Sequence, residues 1–195
     1  GELKFSYSTG NNIYTSPSAV EIDGNTFIFF GSDDGFIYAV DSDGNNLSGW
    51  PQETDGNIVG SIAFSDLDND GSPEIISTNG AAHLLSYNLD GTLNQYFPIT
   101  AEFPYAGSSH IQDLDGDGDL EIFAGSTNTL VVTDIKSVGT SDGYWNTYRG
   151  NVKRTGYFES GSSSACTMGD LNDDGIIDIL DIVQTINIIM GNIDP

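Results

Sequence analysis

Short apolar runs alternate with glycine-, asparagine- and aspartate-rich punctuation along most of the chain. A period of two places successive side chains on opposite faces of a strand. Residues 26–31, 36–40, 74–77, 83–87, 121–125 and 129–133 therefore predict strands, rich in β-branched and aromatic side chains. The pairs Asp43-Gly44 and Asp90-Gly91 supply the positive torsions that tight hairpins need. The pattern also repeats. Ile22-Asp23-Gly24, Leu67-Asp68-Asn69-Asp70-Gly71 and Leu114-Asp115-Gly116-Asp117-Gly118 each precede such a strand, and aligning Ile22, Leu67 and Leu114 gives steps of 45 and 47 residues. That step is the length of a β-propeller blade.

Each repeat reads as an apolar strand, an acidic turn, a second strand, a Gly or Asn turn and a third strand. Residues 93–96 are expected to be the outermost strand of the second repeat, and residues 2–7 the same strand of a further one. The expected fold is mainly β: three propeller-type blades over residues 1–158, forming a partial or open β-propeller. Propellers normally close with four to eight blades, so unpaired edges would invite association with another copy. The pattern stops after Tyr157. Residues 159–165 are small and polar enough for a linker. Beyond them, Ile179, Leu180, Ile182, Val183, Ile186, Ile189 and Met190 recur at helical steps, with Gly191 in the place of a C-terminal cap. Residues 166–195 are thus a second module, a calcium loop followed by a helix.

Charge narrows the function. With 29 acidic and 5 basic residues among 195, the formal net charge is -24. Neutralising phosphates takes clustered Lys and Arg, so no nucleic-acid partner is expected, and docking on anionic membranes is disfavoured. No apolar run is long enough to cross a bilayer, and the polar stretch after Gly1 is unlike a signal peptide, so the chain reads as a mature or excised soluble segment. At 37% hydrophobic and 11% aromatic, it can bury a core, unlike a disordered acidic tail. Cys166 is the single cysteine, which fits a small buried apolar residue, a half of a missing disulfide or a reactive thiol.

Three acidic loops carry the most specific chemistry. Calcium takes six to eight oxygens, and alternate residues of a tight loop can converge on one ion. In residues 66–74 the expected ligands are Asp66, Asp68, Asp70, the carbonyl of Ser72 and Glu74. In residues 113–121 they are Asp113, Asp115, Asp117, the carbonyl of Asp119 and Glu121. In residues 170–181 they are Asp170, Asn172, Asp174, the carbonyl of Ile176, Asp178 and Asp181. A glycine at the sixth position permits the bend in all three. Solvated acidic turns are the plain alternative, but three copies in one phase place carboxylates where they would repel without a cation. Three divalent ions would bring the net charge from -24 to -18. Residues 21–25 are too short to wrap an ion.

The blades over about residues 1–157 resemble FG-GAP/VCBS-type propeller repeats, whose calcium signature is the Asp-x-Asp-x-Asp-Gly-x-x-Glu form of residues 66–74 and 113–121; the first blade departs from it at residues 21–25. Residues 169–190, with Gly-Asp-Leu-Asn-Asp-Asp-Gly followed by Asp178 and Asp181, resemble one repeat of a type I dockerin. Dockerins pair two such repeats and plug into a cohesin, so the likeness implies a cohesin-like partner. Residues 145–157 resemble the segment that closes such propellers, with aromatics packing across a blade end or offering a glycan or peptide groove. Gly116 and Gly118 begin a dinucleotide-like pattern, but Glu121 stands where its third glycine belongs. No P-loop or nucleophile elbow occurs, and His83 and His110 lack zinc spacing. No catalytic function is expected.

These readings converge on a calcium-stabilised extracellular structural or interaction module that engages protein or its own copies. The alternatives are an accessory region of a secreted hydrolase and a carbohydrate-binding module using Trp50, Trp145 or nearby tyrosines. Calcium near millimolar outside cells suits such loops. Asn46-Leu47-Ser48 fits an N-glycosylation acceptor.

Overall fold

A computed structural model describes residues 1–150, which lie in the first of the two units into which the chain divides, Gly1–Ser160. Among the described residues the apolar runs form eleven strands in three antiparallel sheets. The first sheet runs in the order β1 (Ser18–Ile22), β2 (Asn25–Gly31), β3 (Phe36–Asp41), β4 (Gln52–Glu53). The second runs β5 (Ala63–Ser65), β6 (Glu74–Thr78), β7 (His83–Tyr87), β8 (Ile99–Thr100). The third holds β9 (His110–Gln112), β10 (Asp119–Gly125) and β11 (Leu130–Val138). Consecutive strands pair in every sheet, so each is a meander, and the 45- and 47-residue steps are one sheet each.

Strand alternation decides which face each side chain joins. Phe29, Ile37 and Ala39 of the first sheet meet Phe64, Ile75, Leu85 and Tyr87 of the second in one apolar cluster. From the opposite face of the second sheet, Ile76 and Leu84 meet Ile111, Leu120, Ile122 and Ala124 of the third. The second sheet is therefore buried on both faces, which explains why all five residues of β6 are buried, its polar ones included. The outward face of β11 carries Leu130, Val132 and Val138, which are 71%, 48% and 64% exposed.

Two strand expectations are corrected. Residues 2–7 form no strand and join none of the three sheets. Instead Phe5 and Tyr7 lie against Phe30, Tyr38 and Val40, and the Tyr7 hydroxyl donates to Asn46 Oδ1 at 2.7 Å. Residues 93–96 make a turn: Leu93 forms a lone bridge to Tyr87, and the Phe97 amide donates back to the Asn94 carbonyl. The outer strands are the two-residue β4 and β8, each entered through a cis proline bond, Trp50-Pro51 and Phe97-Pro98. β11 also runs five residues beyond the expected Thr133.

After β11 the chain returns across the first strands of two sheets. The Phe64 amide donates to the Trp145 carbonyl at 2.9 Å, and the Ile111 amide to the Asn146 carbonyl at 3.0 Å. Trp145 fills the cluster between the first and second sheets, and Trp50 is buried there too. Both indoles are thus packed inside and are not faces for a glycan; Tyr14 and Tyr96 are exposed instead. Arg149 sits 5.5 Å from the Tyr148 ring centre. The linker 159–165, Cys166, the loop 170–181 and the helix 176–190 lie outside the described residues.

Candidate metal centres

The three sheets share one junction, between their first and second strands, and its length differs. In the first sheet Ile22 pairs with Asn25 across Asp23 and Gly24, both with positive φ, so the turn holds two residues. In the second sheet Ser65 pairs with Glu74, leaving eight residues to loop out. In the third, Gln112 pairs with Glu121 around an equally long excursion.

Both long loops are organised by their own first carboxylate. Asp66 is buried; its Oδ1 accepts from the Asp70 amide at 3.1 Å and its Oδ2 from the Gly71 amide at 2.9 Å. Asp113 does the same, accepting from Gly116 at 2.7 Å and Gly118 at 3.2 Å. The last acid then clamps the second residue: Glu74 Oε2 accepts from the Leu67 amide and Glu121 Oε2 from the Leu114 amide, each at 2.6 Å. Asp70 and Asp117 accept from the Ser72 and Asp119 amides at 2.7 and 3.2 Å.

In the second sheet's loop, Asp66, Asp68 and Asp70 each bring a carboxylate oxygen within 4.8 Å of the others. In the third sheet's loop the group is Asp115, Asp117, Asp119 and Glu121. Two oxygens on opposite sides of a calcium ion, each about 2.4 Å from it, are about 4.8 Å apart, so each group fits one coordination sphere. The donor set is all oxygen, and Asp119 Oδ1 is buried without a hydrogen-bond partner. The residues fit a hard divalent cation.

The placement differs in detail from the expected ligand sets. Glu74 and Asp113 stand outside these two groups, with Glu74 engaged by the Leu67 amide and Asp113 by the two glycine amides. Asp119, expected to offer its carbonyl, brings its carboxylate into the group. The same residue also lies beside β11. Between the pairs Asp119–Val138 and Glu121–Asp134 the register shifts, and the bulge brings Lys136 Nζ within 3.6 Å of Asp119 and into contact with Asp134. Ser72 is exposed within its loop.

The local fields show what a cation would relieve. Burial, and then the charges of Asp68, Asp66 and Asp70, push the Glu74 carboxyl up to about 7. A hydrogen bond with Asp117, then desolvation, pushes Asp119 up to about 6, while the same bond holds Asp117 down. Like charges gathered in one place make the neighbours retain protons. A divalent ion reverses that balance. The loop 66–74 also borders a cleft of about 910 Å³, closed on its other sides by the turn carrying Asp90 and Tyr96 and by Asp134–Lys136 of β11.

Residues 66–124 match the FG-GAP-like repeat family. The match begins at the first acid of one loop and encloses the second, so both clusters fall inside it. FG-GAP repeats often bind calcium. No match was found among curated proteins.

Elsewhere among the described residues, the histidines have ordinary partners. His83 Nδ1 lies 2.9 Å from Asp55, and His110 stacks on Phe123 at 5.1 Å between ring centres.

Proposed function

We propose that this chain is a non-catalytic, calcium-stabilised extracellular interaction module whose three sheets are blades of a β-propeller-type arrangement. One observation carries the reading: two successive sheets each hold, at the same strand junction, a group of carboxylate oxygens within one coordination sphere. The ion is structural in this view. It joins a loop that the first acid has already folded and the last acid has tied to its own second residue. FG-GAP-like repeats supply that use of calcium, and a VCBS-type affinity belongs to the same proposal.

The partner is a protein or a second copy, engaged along the edge and outward face of β11. Residues 166–195 add a dockerin-like calcium loop that would seat against a cohesin-like domain. Extracellular calcium keeps such loops filled, whereas resting cytosol would leave them repelling. A second reading, glycan binding, is favoured by Tyr96, 83% exposed beside the cleft at residues 66–74; a glycan array and Tyr96→Ala test it.

Calorimetric titration with calcium, and thermal unfolding in calcium and in EDTA, test the main reading. Each site filled at 100 times its dissociation constant adds about 2.7 kcal/mol. Identical melting in calcium and EDTA, with no binding heat, refutes it.

A further inference from the structure

We propose that Gly139 and Thr140 couple the two acidic loops, so that a divalent cation held by one strengthens binding at the other. The inference rests on the calcium reading above and adds a positioning role for residues outside both loops. Each loop belongs to a different sheet, and in sequence they lie 47 residues apart, from Asp66 to Asp113. Two adjacent residues nevertheless touch both.

The Gly139 amide donates to the Gly118 carbonyl at 3.3 Å, inside the third sheet's loop. Thr140 exchanges two hydrogen bonds with Asp66, the first acid of the second sheet's loop: its amide donates to the Asp66 carbonyl at 2.7 Å, and the Asp66 amide donates to its carbonyl at 3.0 Å. The same segment is anchored upstream to a ligand candidate, since Val138 pairs with Asp119 and Lys136 lies 3.6 Å from it. Downstream, Trp145 and Asn146 fix it to β5 and β9.

Only glycine fits at position 139. A Cβ there would lie 2.7 Å from the Asp66 carbonyl oxygen, 3.1 Å from the Leu67 carbonyl carbon and 3.0 Å from Leu120. The segment is pressed against the backbone of one loop while bonded to the other. A cation that orders Gly118 and Asp119 orders residues 138–140, and so presents Asp66 already placed. The second ion then has less chain left to order, and that difference is the coupling.

The test uses the full chain carrying Asp170→Asn and Asp174→Asn, which silences the C-terminal loop. Calcium affinity at residues 66–74 is measured with the other loop intact and with Asp115→Asn/Asp117→Asn. The expected result is at least about fivefold weaker binding when the second loop is disabled. In Gly139→Ala, and separately in Thr140→Pro, that dependence disappears. Hydrogen exchange gives a readout that needs no strap variant: with Asp68→Asn/Asp70→Asn, calcium at the remaining loop slows exchange of the Thr140 and Asp66 amides.

Two tight but independent sites, or coupling that survives in Gly139→Ala, overturns the inference and leaves the calcium reading standing. Absence of any binding heat in the parent overturns both.

Discussion

Glu74→Gln isolates the price of an empty loop. Burial of the Glu74 carboxyl, and then the charges of three aspartates, push it up to about 7 from an ordinary 4.5, against the opposing pull of the Leu67 amide that it accepts. Because the folded value is raised, the folded chain holds this proton more tightly than the unfolded one. Stability from the group is full below pH 4.5 and is lost as pH rises to about 7. Each tenfold change in the proton equilibrium is worth about 1.4 kcal/mol, so the loss is about 3 kcal/mol. Gln keeps the shape and the acceptor for Leu67 but carries no charge. In EDTA, the variant should match its parent near pH 4 and exceed it by about 3 kcal/mol at pH 8. In calcium at pH 8 the order should invert, because the variant removes a negative charge from beside the ion. Urea unfolding followed by fluorescence of the buried Trp50 and Trp145 reads both states. Titrating groups remote from this loop are common to both chains and cancel. Parallel pH profiles for parent and variant in EDTA would refute the electrostatic reasoning.

Two further outcomes follow from the packing and the hydrogen bonds. Phe29→Ala empties the junction where its ring meets Trp50 and Phe64 edge-on, each at 5.2 Å between centres, and should cost about 3–5 kcal/mol in chemical unfolding. Tyr38 donates to Asp34 at 2.8 Å; burial first, and then that bond, pushes its hydroxyl up to about 12. In an absorbance titration one tyrosine should therefore ionise near pH 12, and Asp34→Asn should bring it down; an unchanged curve in Asp34→Asn would contradict the assignment.

Much of the fold was legible because it is local. The expected strand at residues 83–87 coincides with β7, and that at 74–77 falls one residue short of β6, since a period of two needs only neighbouring residues to show itself. The loops were legible for the same reason: alternate acids and a sixth-position glycine sit within nine residues of each other. β4 and β8 escaped because two residues contain no period, and their pairing is decided by the edge that β3 and β7 offer. The outer strand assigned to residues 2–7 failed because Phe5 and Tyr7 pack on Phe30, Tyr38 and Val40, partners that the segment's own alternation does not reveal.

The amino-acid order alone determined a β chain with a 45- to 47-residue step and two acidic loops at matched positions, since alternation, turn chemistry and spacing are short-range properties. Only the folded chain decided which oxygens meet. Asp119 brought its carboxylate into its loop's group beside the bulge on β11, the clamps on Leu67 and Leu114 took one oxygen from each closing glutamate, and Gly139 and Thr140 brought the loops onto one strand of backbone. Each of these depends on residues distant in sequence brought side by side, and convergence of that kind arises only when sheets pack.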